Sequence, residues 1–222
     1  MAGASRLRGR LRRRAGFARW PALRAGGGPA SGDAGAVALR TTPSGAKPPA
    51  YPMTALIVAL VTLLAVLLLM VGEAVLSSFN EQVLRARGAI EADDNVRRTM
   101  QWAYPASFVA MAVEGAVTGP STPELLSIGL ALFGVSKALK IWTITTLGVR
   151  WTFRILVLPD VPPVTHGPYA VLRHPNYVAI LGELISVGLI VWAPVTGVLA
   201  LLGYGALLRR KIAVEDRALG RQ

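Results

Sequence analysis

Five apolar stretches follow one another along this chain, separated alternately by long charged segments and short, nearly uncharged ones. Residues 54–72 (TALIVALVTLLAVLLLMVG) hold no charge. A helix crossing the hydrocarbon layer needs about 20 such residues, so this stretch predicts a first span. Residues 102–117 predict a shorter second span carrying Pro105 and Glu114, and residues 125–147 a third, interrupted by Lys137 and Lys140. Residues 177–192 and 198–208 predict a helical hairpin turning at residues 193–197 (Ala-Pro-Val-Thr-Gly). Trp102, Trp142, Trp151 and Trp192 fall near proposed span ends, as interfacial aromatics do. The pattern predicts an all-α integral membrane protein with about five transmembrane helices.

Composition agrees. Only 16% of the 222 residues are charged and 53% are hydrophobic, against roughly 25% charged in soluble domains. The chain has no cysteine, which excludes disulfides, thiolate zinc sites and a cysteine nucleophile. The net charge of +12 is unevenly placed. Residues 1–52 carry Arg6, Arg8, Arg10, Arg12, Arg13, Arg14, Arg19, Arg24, Arg40 and Lys47 against Asp33 alone. With much Ala, Gly and Pro and no apolar period, this segment predicts a disordered basic arm. A transit-like peptide, a lipid- or nucleic-acid-binding arm, and translated sequence upstream of a start at Met53 all fit it. No base-reading fold accompanies the arm, so nucleic acid is not an expected partner.

Charge also orients the spans. Five spans place one set of connections together. Their cations are Arg85, Arg87, Arg97 and Arg98; Arg150, Arg154 and Arg173; Arg209, Arg210, Lys211, Arg217 and Arg221. The opposite connections, residues 118–124 and 193–197, contain no cation. The positive-inside rule puts the cationic side in the cytoplasm. The arm, with its ten cations, would then lie outside, a conflict that initiation at Met53 removes. The expected organisation is an arm over 1–52, two spans within 53–123, and a core over 124–222 holding three spans and a cytoplasmic C-terminal helix.

Chemistry concentrates where the fourth span begins. Both histidines, His166 and His174, lie within residues 165–177, T-H-G-P-Y-A-V-L-R-H-P-N-Y. Gly167-Pro168-Tyr169 is a turn signal. Pro175 suits the first position of a helix, where a missing amide hydrogen costs nothing, which puts His174 at the N-cap and Arg173 just before it. Unpaired backbone donors there, with Arg173 and His174, would receive a carboxylate, and Tyr169 and Tyr177 could flank a flat ring. Equally, His174 merely caps the helix and the tyrosines anchor it at the interface. Beyond the last span, Leu208, Ile212, Val214 and Leu219 suggest a helix leaving the membrane, with Lys211 and Glu215 on one face. By itself that segment reads as a cationic stop-transfer helix with a surface ion pair.

Taken together, G-P-Y-x-x-x-R-H-P-N-Y, a helical hairpin and then R-x-K-I-x-x-E-D resemble the isoprenylcysteine carboxyl methyltransferase superfamily, which includes phospholipid methyltransferases. The resemblance covers about residues 124–219. The preceding L-G-V-R-W-T-F-R-I-L-V-L-P is similar to a bacterial branch encoded beside type III polyketide synthases, whose members are taken to methylate hydroxyls of alkylpyrone or alkylresorcinol lipids. The resemblance implies an S-adenosylmethionine site at the cytoplasmic face, contacted by Tyr169, His174, Pro175, Asn176, Tyr177 and the backbone between Val161 and Val164. It makes Glu215 the acidic cofactor ligand and Lys211 the cation that orients the acceptor. Arginine is common at the Lys211 position and glutamate at that of Asp216. Lysine supplies charge but no bidentate fork, which disfavours a carboxylate acceptor.

The expected activity is methyl transfer to a lipophilic acceptor, a hydroxyl of a polyketide-type lipid, with membrane lipids as surroundings. Carboxyl methylation of a prenylated cysteine and N-methylation of a phospholipid are the alternatives within that chemistry. An NADPH-dependent membrane reductase with a related R-H-P-x-Y pattern, and a non-catalytic scaffold, are the alternatives outside it. No metal constellation of usual spacing is present. Glu183 is the one acid in residues 177–208, and ionisable groups inside a span usually face a cavity. It shares a helix face with Asn176. Either it lines the acceptor tunnel and takes the hydroxyl proton, or it pairs structurally with Lys140 or Lys137.

Overall fold

The computed structural model describes residues 51–159 and 161–220. The predicted basic arm lies outside these residues except for Tyr51 and Pro52, and Arg221 lies outside them too. Five helices account for most of the described chain: α1 (Tyr51–Ala86), α2 (Arg97–Thr118), α3 (Pro123–Leu147), α4 (Pro175–Ile190) and α5 (Pro194–Ala218). Two, Met53–Ala86 and Pro123–Arg150, are long and apolar enough to cross a membrane, and Pro175–Ile190 is a shorter apolar helix.

α1 runs well past its predicted end. Nothing breaks the helix before Gly88, whose φ is +80°, so 36 residues stretch about 54 Å at 1.5 Å per residue. That exceeds a hydrocarbon layer of about 30 Å, and the last turns of α1 carry polar side chains instead. The α4–α5 turn is tighter than predicted. Ile190 ends α4 and Pro194 already opens α5, because proline is suited to the first helical turn. α5 then continues without a break from the apolar stretch to Ala218, as the pattern through Leu208, Ile212 and Leu219 predicts.

The five helices alternate in direction, and each end of the bundle is tied separately. At one end the Glu114 carboxylate accepts from the backbone N–H of Val195 (3.0 Å) and of Thr196 (2.7 Å), so an acid of α2 caps α5. Nearby, the Thr118 hydroxyl donates to the Trp192 carbonyl at 2.7 Å. At the other end Ile90–Glu91 (β1) pairs antiparallel with Leu156–Val157 (β2), Ile90 opposite Val157. Asn80 of α1 donates to the Trp151 carbonyl at 2.8 Å, and Ser77 accepts from the Phe153 N–H at 2.8 Å.

α4 is the central helix, packing against α3, α5, α2 and α1. Small residues permit this. A Cβ on Gly182 would stand 2.2 Å from the Ser136 hydroxyl of α3, and one on Gly115 of α2 would stand 2.2 Å from the Val191 carbonyl. Close backbone approach of this kind favours dispersion between helices that hydrophobicity alone cannot hold together in lipid. Phe108, Met111 and Leu184 fill the core with almost no exposure. Many apolar side chains of α1, among them Ile57, Val61, Leu64 and Leu68, are exposed instead, as suits a lipid-facing helix.

Beneath the β-paired end lies a buried ionic network. Glu183 of α4 is fully buried. Lys140 stands 2.7 Å and Lys137 3.2 Å from its carboxylate, and the Tyr104 hydroxyl donates to it. The same two lysines reach Glu73 of α1 at 3.1 and 2.9 Å. Two acids and two ammonium groups balance, so four helices meet around a cluster of zero net charge.

Candidate functional site

The N-terminus of α4 is shaped by its sequence. Gly167 adopts φ +62°, the left-handed region that glycine enters without steric cost, and starts a short 3-10 turn, Gly167–Ala170. A Cβ there would also crowd the Thr146 side chain. Pro175 then opens α4 with His174 as N-cap residue, but the His174 side chain makes no capping hydrogen bond. Its ring stacks on Tyr177 instead, centroids 5.6 Å apart and planes inclined by 17°. The capping alternative therefore fails, and the imidazole is available for other contacts.

Those contacts come from the far end of α5. The Tyr177 hydroxyl donates to the Glu215 carboxylate at 2.6 Å. His174 Nδ1 stands 3.7 Å from the same carboxylate, and its Nε2 stands 3.3 Å from Asp216 Oδ1. Burial would raise the Glu215 pKa. The opposing contacts of His174 and Tyr177, with the Lys211 charge, hold it below its ordinary value. Asn176 accepts from the Trp151 indole N–H at 3.3 Å.

Of these groups Trp151, His174, Asn176, Tyr177 and Glu215 line one cavity of about 140 Å3, together with Leu147, Arg150, Thr152, Arg154, Ile155, Leu156, Val157, Pro163, Val164, Tyr169, Lys211 and Leu219. Seven sequence-predicted residues thus meet on one wall: Val164, Tyr169, His174, Asn176, Tyr177, Lys211 and Glu215. Three lie beside it. Pro175 is buried behind the wall as the first residue of α4, Val161 is 45% exposed, and Arg173 is exposed without a place in the lining. Glu183 belongs to the ionic network and not to the cavity wall, which is the pairing alternative with Lys140 and Lys137.

The second layer was not apparent from sequence. Trp151, read as an interfacial anchor, is only 3% exposed and lines the cavity. Arg154 bonds Glu81 at 2.9 Å and Glu91 at 2.5 Å, fastening the segment just before β2 to α1 and β1. Asp94, just before α2, pairs with Lys211. Each of these partners is more than fifty residues away along the chain, so no spacing rule links them. The one available signal was the density of charge in residues 81–98.

A polar cavity thus lies at one end of a mostly apolar five-helix bundle, walled by the start of α4 and the far end of α5, and it is the candidate site of the chain. The sequence belongs to the isoprenylcysteine carboxyl methyltransferase (ICMT) family, whose family model matches residues 128–221. This is a family of membrane-integral methyltransferases. The chain is similar to an uncharacterized protein of Bacillus subtilis (strain 168), YpbQ. The two are 30% identical over 141 residues, 63% of this chain and 83% of the relative. An uncharacterized protein of Haemophilus influenzae is 29% identical over 141 residues, 63% and 82% of the two chains. No solved structure matches the chain.

The donor set suits a flat, cationic ligand. Tyr169, Tyr177 and the His174 ring offer aromatic faces, and Glu215 offers an anion. His174 Nε2 and Asp216 Oδ1 face each other at 3.3 Å without a well-formed hydrogen bond, and of the two only His174 lines the cavity, so its ring is the polar group that a bound ligand can meet. A sulfonium-bearing nucleoside fits that set.

Proposed function

We propose that this protein is an S-adenosylmethionine-dependent methyltransferase acting on a hydroxyl of a lipophilic, polyketide-type acceptor at the cytoplasmic face of a bacterial inner membrane. The observation that carries the reading is the convergence of Tyr177, His174 and Glu215 from two helix ends on one cavity that Lys211 also lines. In this reading all five helices span, and the cationic connections and the α5 extension face the cytoplasm, by the positive-inside rule.

Glu215, Tyr169, His174, Asn176 and Tyr177 would hold the cofactor, with Pro175 fixing the start of α4 and the backbone of residues 161–164 closing one side. When bound, S-adenosylmethionine supplies a methyl group already activated by a sulfonium. The protein's work is therefore positioning and exclusion of water, which well-oriented sites turn into about 7–11 kcal/mol. Lys211 would donate to the acceptor oxygen as its bond to the methyl carbon forms and the methyl–sulfur bond breaks, and the hydroxyl proton would leave to bulk water through the cavity mouth. Arg173, exposed beside the wall, contributes positive charge at the mouth.

The test uses purified protein in nanodiscs, with labelled S-adenosylmethionine, NADPH and a lipid extract. Label should pass into a lipid whose mass rises by one methylene, and Glu215→Gln should lower the transfer at sub-saturating S-adenosylmethionine roughly 10- to 100-fold. Binding of NADPH without binding of S-adenosylmethionine would overturn the reading. Label recovered as a methyl ester or on a phospholipid amine would move the acceptor to one of the alternatives.

A further inference from the structure

Lys211 is the cavity residue best placed to choose the acceptor, and its charge is already answered. Its side chain is 8% exposed, and that of Asp94, its ion-pair partner, is 4% exposed. The ammonium also donates to the Phe153 carbonyl at 3.1 Å. An ammonium has three N–H donors, so one remains for the cavity. Asp94 is itself fixed. Its Oδ1 accepts from the Val96 N–H at 3.2 Å, at the start of α2, where the helix dipole favours an anion.

Lys211 therefore offers the subsite one hydrogen-bond donor and no net positive charge; of the other cations on the wall, Arg154 is ion-paired with Glu81 and Glu91, and Arg150 is turned to the Pro162 carbonyl. A carboxylate brought there would be desolvated beside a neutral pair, with the Glu215 carboxylate in the lining of the same cavity. Burial of an uncompensated anion is costly. An uncharged hydroxyl needs only the single donor.

We propose that Asp94, by neutralising Lys211, sets the acceptor subsite to take amphiphiles with an uncharged hydroxyl head and to reject those with a carboxylate. Asp94 is a specificity-determining residue acting through Lys211. The proposal rests on the methyltransferase reading only in assigning Lys211 to the acceptor.

The full chain in neutral-lipid nanodiscs would be titrated with tritiated dodecylresorcinol, and dodecanoate tested as competitor at neutral pH. Wild type should prefer the resorcinol. Asp94→Asn, isosteric but uncharged, should shift the ratio toward dodecanoate by about tenfold, equivalent to about 1.4 kcal/mol. Adding Lys211→Met should remove that shift. Asp94→Glu, which keeps the charge, should leave the wild-type ratio, and it also serves if the asparagine variant fails to fold. Equal affinities in wild type, an unmoved ratio in Asp94→Asn, a shift that survives Lys211→Met, or binding of neither amphiphile would each overturn the proposal. Binding of S-adenosylmethionine is measured separately on the same nanodiscs. Its absence would sink the methyltransferase reading while the amphiphile ratio still decides the role of Asp94.

Discussion

The buried network of Glu73, Glu183, Lys137 and Lys140 makes a sharp demand on stability. Lys140 is 2% exposed and stands 2.7 Å from the fully buried Glu183 carboxylate. At that distance and an effective dielectric of about 20, the pair attraction is about 6 kcal/mol before desolvation is subtracted. Lys140→Met would leave two acids facing one lysine. Removing one partner of a buried pair typically costs about 3–5 kcal/mol, because the orphaned charge stays buried. Glu183→Gln alone should cost a similar amount through the excess ammonium. The double variant restores charge balance, so its cost should fall short of the sum of the two by about 2 kcal/mol or more, within the usual range for contacting residues. Unfolding by SDS titration in mixed micelles, followed by tryptophan fluorescence, measures all three. Single substitutions costing under about 1 kcal/mol, or a double variant equal to the sum, would refute the reasoning. Turnover per folded molecule should be unchanged in Glu183→Gln. A loss of turnover at full stability would instead return Glu183 to the role of proton acceptor.

Glu215→Gln should weaken S-adenosylmethionine binding roughly 10- to 100-fold by titration calorimetry, since hydrogen bonds to charged groups are worth about 1.5–3 kcal/mol. The Glu215 carboxyl in the folded protein titrates below its ordinary value of 4.5, so its ionised form stabilises the fold above that pH. The contribution is lost as pH falls through the lowered folded value. Thermal unfolding of wild type and Glu215→Gln should accordingly differ most above about pH 4.5 and converge at lower pH. Gly115→Ala forces a methyl group against the Val191 backbone carbonyl and should destabilise by about 1–3 kcal/mol. Gly72→Ala, which meets nothing within 4 Å, is the neutral control in the same SDS titration.

Helix placement was legible because span length and apolar content are local properties. The run over residues 125–147 and the helix Pro123–Leu147 nearly coincide. Proline at the first position placed the start of α4 to the residue. Local pattern put His174 and Tyr177 in one short segment, but their stacking on each other emerged only in the fold. What it could not supply was depth and pairing. Lys137 and Lys140 interrupt an apolar run, and nothing local says that they turn inward toward Glu73, sixty-odd residues earlier. Asp94 and Lys211 meet across more than a hundred residues. The end of α1 was misjudged because Ser77, Asn80 and Glu81 look like loop residues. They are helical polar groups that accept Phe153, hold Trp151 and bind Arg154.

The two polar layers have different work, and their spacing along α4 ties them together. Asn176 at the cavity and Glu183 in the ionic network are seven residues apart, two turns of one helix and about 10 Å. The cavity depends on α4 and α5 holding register to within a hydrogen bond, since Tyr177 reaches Glu215 across the gap at 2.6 Å. Apolar packing in lipid gives little resistance to sliding, because a tail replaces a leucine at small cost. A charge pair resists strongly, since a slide of one turn would carry Glu183 away from both lysines. The buried ions thus act as the register pin of α4 against α3 and α1. Because Glu183 touches α3 and α2 and not α5, its loss should lower the stability of the bundle while the Tyr177–Glu215 contact keeps the cavity wall, and with it the turnover of the folded fraction.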